Sequence, residues 1–549
     1  MNQFRRFLVI ATAALASITG AGVASAQGVT TGALRGTVTD SIGNPMEGVQ
    51  IRATNRATGY SAGALTRANG TYFIQGLEVG AYSVQARRIG FEPRNVDNVP
   101  VALSQVAVAD FKLTQAVAQL AGVRVTATAT AAETFAPSNT GTKAVVSDTA
   151  IQRLPTLTRN LTDFIKLAPQ VSASGPGFSA GGMSNRMNNV QIDGATERDV
   201  FGLGATGQPG AQVSAKSVGL EAVKEFQIVL APYDVRQGNF GGLLLNAVTK
   251  SGTNTLQGSA FYTYRDQDFS KDTSITRSTP FDRTQYGFAL GGPIIKDKLH
   301  FFITPEFQSE NSPFPGPFQG QAADITPIFG LTDPIRQRAE QALTALGMTD
   351  LGSAGFVNQA NPLANFFGRL DWRVNDTHRA VFRLNYSDAE SPRSQQGRSA
   401  TTTVFTSQFH DFSSQKIAPV FQLYSNFGNG TFNEFFAGYN RVRDRRVPRS
   451  TFPSIRVNNV PLASNATNGV IWAGADEFSQ GNEVDMDTYE ITNNYTVPRG
   501  NHTLTFGTRN EFVKIRNQFT QSSLGAWTFQ NLDSLAAGNA NSFRKAIIL

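Results

Sequence analysis

Phe366-Phe367-Gly368-Arg369-Leu370-Asp371-Trp372-Arg373-Val374 alternates with period two: Phe366, Gly368, Leu370, Trp372 and Val374 make one face, and Phe367, Arg369, Asp371 and Arg373 make a mostly polar other. Successive side chains of a strand point to opposite sides, so each set lines one side of a sheet. The stretch runs into the tight turn Asn375-Asp376-Thr377, beyond which Ala380, Phe382, Leu384 and Tyr386 oppose Arg383, Asn385 and Ser387 in the same way. Aromatic residues on the apolar face and charge on the other suit a strand with lipid outside and a wet lumen inside. Comparable segments start near Gly258, Arg283, Leu299, Ile417, Thr431, Asp487 and His502, which with these two makes about nine strands. Their connections alternate: short turns at 296–298, 375–377, 428–430 and 498–501, and long polar stretches at 269–282, 309–363, 388–415 and 442–486. That asymmetry is the outer-membrane barrel pattern, and a soluble sandwich has no need of it.

The composition agrees. Of 549 residues 16% are charged, against the roughly 25% usual in soluble proteins. The chain has no cysteine, which excludes a disulfide framework, thiolate zinc sites and thiol catalysis. Its four histidines, His300, His378, His410 and His502, have no second ligand at helical spacing, so no metal site is assigned. No nucleophile, base and metal set converges either, so the chain reads as a non-enzyme without a cofactor. Arg5 and Arg6, the apolar run 7–15 and the small residues Ala24, Ser25 and Ala26 form a secretory signal, with cleavage between Ala26 and Gln27. Removing the two arginines lowers the net charge from +7 to +5, and no Lys/Arg cluster points to nucleic acid. No later apolar run reaches the 18 residues of a membrane helix.

The fold class is mainly β. Residues 27–113 read as a β-sandwich with strands at 33–39, 49–54, 70–74, 80–87 and 106–113, and with turn chemistry at Gly43, Asn44, Pro45, Asn69 and Gly70. Residues 114–142 are a linker, in which the β-branched segment Val123, Arg124, Val125, Thr126 and Ala127 is suited to pairing with a partner's sheet edge. The alternatives for it are a last sandwich strand or plain linker. Residues 143–250 mix helix and strand: Ser147 precedes Ile151 and Leu154, and Leu161, Phe164, Ile165 and Leu167 share a helical face before Pro169. Strands follow at 189–194, 226–229 and 243–248. Residues 251–549 hold the first strands of the barrel.

Gly36-Thr37-Val38-Thr39-Asp40, Asn69-Gly70-Thr71-Tyr72 and Gly80-Ala81-Tyr82 resemble the carboxypeptidase regulatory-like domain, a non-catalytic sandwich related to carbohydrate-binding modules. Ile192-Asp193-Gly194, Gly238-Asn239-Phe240-Gly241-Gly242 and Val248-Thr249-Lys250-Ser251-Gly252-Thr253-Asn254 resemble the plug of TonB-dependent receptors. Gly291-Gly292-Pro293-Ile294-Ile295-Lys296-Asp297-Lys298, Gly368-Arg369-Leu370-Asp371-Trp372 and Arg499-Gly500-Asn501-His502-Thr503-Leu504 are similar to the Oar-like subgroup of those receptors.

The resemblance implies an outer-membrane receptor of the Gram-negative type, with sandwich and plug on the periplasmic side. It implies import of a bulky solute (saccharide, peptide or metal chelate) with outer-membrane lipid around the barrel. It also implies a TonB-type inner-membrane energy coupler, and Val123, Arg124, Val125, Thr126 and Ala127 resemble the TonB box that this partner pulls, although Gly122 stands where an acidic residue is common. Phe178, Arg186, Arg198 and Phe201 are candidate ligand contacts on the plug, with packing inside the lumen as the alternative. Because plugged transporters have about 22 strands, nine leave the barrel incomplete, and the chain is expected to be an N-terminal fragment. The competing function is a secreted or surface-anchored β-protein that binds glycan or protein without transport.

Overall fold

A computed structural model describes residues 30–115, 142–154, 156, 158–168, 170–172, 178–199, 207–231, 234–269, 280–321, 328–428, 430–464, 466, 468–499 and 502–546. The N-terminal unit has eight strands: β1 (Gly32–Thr39), β2 (Gln50–Asn55), β3 (Ser61–Leu65), β4 (Thr71–Leu77), β5 (Gly80–Arg87), β6 (Arg94–Val101), β7 (Val106–Val108) and β8 (Phe111–Lys112). One sheet runs β4-β1-β7 with β8 also on β1, and the facing sheet runs β3-β2-β5-β6. Leu34, Val38, Ile51, Ile74, Tyr82 and Val84 alternate inward from both sheets and form the shared core. Two strands lacked a sequence signal. β3 is Ser-Ala-Gly-Ala-Leu, without a β-branched residue, and β6 carries Asn, Asp and Pro. The expected strand at 106–113 is split in two where the Asp110 carboxylate turns to accept from the Thr37 N–H (2.7 Å) and hydroxyl (2.8 Å).

The second unit has β9 (Thr142–Ser147), helix α1 (Asp148–Arg153), β10 (Val171–Ser172), β11 (Ser179–Ala180), β12 (Asn189–Ile192), β13 (Ala195–Thr196), β14 (Val223–Ala231) and β15 (Leu244–Thr249). Ser147 caps α1 and Ile151 is its buried residue. The 161–167 segment is a 3-10 helix that buries Leu161, Phe164 and Ile165. The sheet order is β13-β12-β15-β14-β9. Its core of Val190, Ile192, Phe226, Ile228 and Leu245 continues onto Ala289, Phe302 and Phe367 of the barrel wall, so plug and wall share one apolar cluster.

The barrel sheet contains β16 (Gln257–Asp266), β17 (Asp282–Ile295), β18 (Leu299–Asn311), β19 (Leu363–Arg373), β20 (His378–Arg393), β22 (His410–Gly428), β23 (Thr431–Pro448), β26 (Asn482–Arg499) and β27 (His502–Phe519). All nine pair antiparallel in chain order, and among the described residues β16 and β27 are edges, so the sheet does not close. The register carries Leu370 opposite Phe382 and Phe382 opposite Phe421, a continuous apolar row. These residues are 40–47% exposed on the outside of the wall, whereas Phe367, Arg369 and Arg383 between them are buried against the plug. Outside is oil and inside is charge, the reverse of a soluble core.

The long connections are a correction. Strands expected to end near Asp388 and Val442 continue to Arg393 and Pro448, and β22 reaches 19 residues where about 10 suffice to cross lipid. Beyond the stacked ring pair Tyr439 and Tyr489, the outer face turns charged, with Arg443 on Asp487 (2.9 Å) and Arg516 on Glu483 (2.6 Å). Those ends therefore project above the apolar belt. The loops they carry fold together as β21 (Thr402–Val404), β24 (Ser454–Val460), β25 (Gly469–Ala473), β28 (Ala526–Phe529) and β29 (Ser542–Arg544), with helices α2 (Asp333–Ala345) and α3 (Leu532–Ala536). Leu343, Phe405, Val457, Ile471, Phe529 and Leu535 form the core of this outer cap.

Candidate functional site

The plug and the inward face of the wall meet through a chain of buried polar groups. It begins at the turn after β12, where Asp193 (φ 47°) and Gly194 (φ 82°) both take left-handed backbone. There the Asp193 carboxylate accepts from the Thr249 N–H (2.8 Å) and hydroxyl (2.7 Å). Two motifs far apart in sequence thus hold each other. The wall answers with Arg383, fully buried, which donates to the Ile192 carbonyl and lies 3.4 Å from Asp193. Gln422 donates to the Asp193 carbonyl (2.9 Å), and Arg369 donates to the Thr249 carbonyl (3.2 Å) and hydroxyl (3.0 Å). Asp371 clamps the Arg369 guanidinium with two bonds, of 2.8 and 2.7 Å.

Further around the wall Lys416 pairs with Glu197 and donates to the Ser217 carbonyl (2.7 Å), and Lys216 pairs with Glu306. Glu490 accepts from the Thr196 N–H (3.0 Å) and is 2.6 Å from Arg509. Charge is contributed from both sides: acid on the plug against cation on the wall at Asp193 and Glu197, and the reverse at Lys216. A buried pair adds little net stability, because desolvating two charges offsets their attraction. Removing one partner is different, as it strands a charge in a dry site. The arrangement therefore makes the seating specific while leaving the plug separable as a body. The sandwich joins the same assembly: the Glu225 carboxylate of the plug accepts from the Leu103 N–H (3.0 Å), and burial pushes that acid's pKa up.

Residues 248–316 and 308–547 match the outer membrane beta barrel domain family, more than half of the chain. The chain belongs to that family. Residues 33–114 match the carboxypeptidase regulatory-like domain. A 371-residue stretch is 25% identical to the TonB-dependent transporter Oar of Myxococcus xanthus, covering 64% of this chain and 33% of that protein. The outer membrane transporter YddB from Escherichia coli is similar in fold, with a TM-score of 0.51 at 12% identity, over 74% of this chain and 52% of that one. The chain thus spans about a third of the length of its curated relative and about half of the solved transporter. The barrel domain locates the protein in the Gram-negative outer membrane, and over the aligned stretch its sequence is similar to a TonB-dependent transporter.

The barrel family frames the residues singled out from sequence. Phe178 is half-buried, packs against the plug core, and its carbonyl accepts from Asn188 (2.9 Å). Arg198 donates to Asn239 (3.2 Å) and lies 3.9 Å from Glu511 of the wall, while Arg186 is exposed. Phe201 falls outside the described residues, as do Ala26, Gln27 and Val123, Arg124, Val125, Thr126 and Ala127. Among the described ones, Phe178, Arg186 and Arg198 do not form one cluster. Sequence reasoning passed over Glu197, Lys216, Glu306 and Lys416, which the structure joins as the pairs Lys416–Glu197 and Lys216–Glu306. Arg369, Asp371 and Arg383 were visible only as the polar face of an alternating strand, and nothing in a period-two pattern says which polar residue finds a partner. Among the described residues no three His, Cys, Asp or Glu are grouped to hold a metal ion.

Proposed function

We propose that the protein carrying this chain imports a bulky solute across the outer membrane, driven by a TonB-type coupler in the inner membrane. The observation that supports it is the plug itself: a separate folded body sits against the inward face of the wall and is held there by buried ion pairs and a shared apolar cluster rather than by continuous strand pairing. In a closed barrel a plug held this way needs work to move, and strand addition at Val123, Arg124, Val125, Thr126 and Ala127 would deliver it through backbone hydrogen bonds. The solute is a saccharide, peptide or metal chelate, the classes too large for passive pores. The test is uptake by a deletion strain complemented with the complete gene and grown on single nutrients, with and without a functional coupler. Complementation that persists without the coupler overturns the energised reading. Recovery of the full-length product from soluble secreted material overturns transport altogether.

A further inference from the structure

The tip of the β4–β5 hairpin enters the periplasmic mouth of the barrel. Glu78 at that tip forms an ion pair with Arg379 of β20 and lies 3.6 Å from Arg369 of β19. Arg379 is held between two rings, Tyr60 of the sandwich (5.5 Å to the centroid) and Tyr424 of the wall (4.4 Å). Thr30 donates to Glu434 (3.0 Å) and shares a hydrogen bond with the Tyr424 hydroxyl (3.0 Å).

Two features show that this is more than a docking contact. First, Arg379 is nearly fully buried, yet its Nε–H has no partner among the described residues. Its other carboxylate neighbour, Asp371 at 3.6 Å, already gives both oxygens to Arg369. Second, a cavity of about 400 Å³ opens beside the pair, lined by Arg369, Arg379, Lys224 and Lys250 against Glu78, Asp148 and Asp193. Four cations face three acids, and only Glu78 among those acids belongs to the sandwich. When the sandwich leaves, the four cations keep Asp148, Asp193 and, behind Arg369, Asp371, so one guanidinium is short of a carboxylate. Arginine forks of this kind take carboxylate and phosphate through paired N–H donors.

We propose that Arg369 and Arg379 form an anion-binding site at the periplasmic exit of the lumen, occupied at rest by the sandwich's own Glu78 and open to a carboxylate- or phosphate-bearing solute once the sandwich undocks. The proposal rests on the import reading for its solute, but not for its site. Glu78 is then a built-in competitor: it completes the charge of the exit while the channel is idle, and an anionic solute completes it in transit. Arg369 also bonds Thr249 of the plug, so one wall residue senses both bodies that block the path.

A Thr30→Cys thiol, buried by docking, in an otherwise cysteine-free background reports undocking through maleimide labelling of the complete protein in detergent. Glu78→Gln should speed that labelling at least tenfold, and Glu78→Asp should speed it less. Inorganic phosphate should show broadened ³¹P lines with the Glu78→Gln protein and not with Glu78→Gln/Arg379→Gln, both checked for an unchanged heat-modifiable barrel on gels. Labelling of the Glu78→Gln protein at the parent rate overturns the latch, and broadening that survives the double substitution overturns the site. If Glu78→Gln does not fold, the Glu78→Asp protein decides, since an unchanged labelling rate there also overturns the latch. Neither readout needs a coupler or an imported solute, so a failure of the import reading would be seen separately, in uptake.

Discussion

Lys216→Met should unseat the plug, and the structure sets the size of the effect. Lys216 and Glu306 are 2% and 1% exposed and pair across the plug–wall boundary. The second carboxylate oxygen of Glu306 has no partner among the described residues, so the lysine is what makes its burial tolerable. Removing it leaves a charge in a dry site, which costs about 3–5 kcal/mol, or roughly two to four powers of ten in the open population at about 1.4 kcal/mol per tenfold. Replacing both partners, as in Lys216→Met/Glu306→Leu, removes the stranded charge and should return most of that loss. The assay is native-state proteolysis of the plug in the complete protein, whose rate follows the open population when reclosing is fast. A double-mutant cycle then isolates the pair. A single-mutant effect below about 1 kcal/mol, the range of exposed pairs, or a double mutant that is merely additive, would refute the claim that the pair is dry and specific.

Val125→Pro should abolish energised uptake while surface binding of solute persists, because proline removes the N–H and breaks an extended pairing; unchanged uptake, measured with labelled solute, would make the segment a plain linker. Leu370→Arg places a charge in the outward apolar row and should cost about 2–4 kcal/mol if that row lies near the bilayer midplane, read as lower folded yield in lipid titrated with denaturant; a normal yield would mean the face is not lipid-exposed. Burial raises the Glu225 pKa in the docked assembly, so that state holds the proton more tightly than the free one. Its contribution to docking is therefore present in full below the ordinary glutamate range and is lost as pH rises through the elevated pKa. Sandwich release followed against pH should show this slope, and Glu225→Gln should flatten it.

The barrel strands were legible because their signal is local. At 366–374 and 380–387 every second residue declares its side, and the Asn375-Asp376-Thr377 turn between them fixes register without help from the rest of the chain. The same holds for the Asp193-Gly194 turn of the plug, where left-handed backbone needs a residue that tolerates it. The strand ends were less legible. Above the apolar belt both faces become polar, alternation fades, and the sequence reads as loop where the structure keeps pairing to Arg393 and Pro448. The outer cap was invisible for a further reason: its core is assembled from three separate connections and the segment after β27, stretches far apart in the sequence.

What the sequence by itself determined is therefore the kind of protein: alternating strands with oil outside, a glycine- and asparagine-rich body to fill the lumen, and a small sandwich ahead of it. Which residues meet inside was decided only by the tertiary structure. Lys416 and Glu197 are 219 positions apart, and Arg379 and Glu78 are 301 apart. A charged side chain on a lumen-facing position costs nothing visible in the linear pattern, whether it faces water or a partner. The difference is desolvation, which exists only once a second surface closes over it. The plug and the sandwich supply those surfaces, and with them the ion pairs on which seating, release and the anion site at the exit depend.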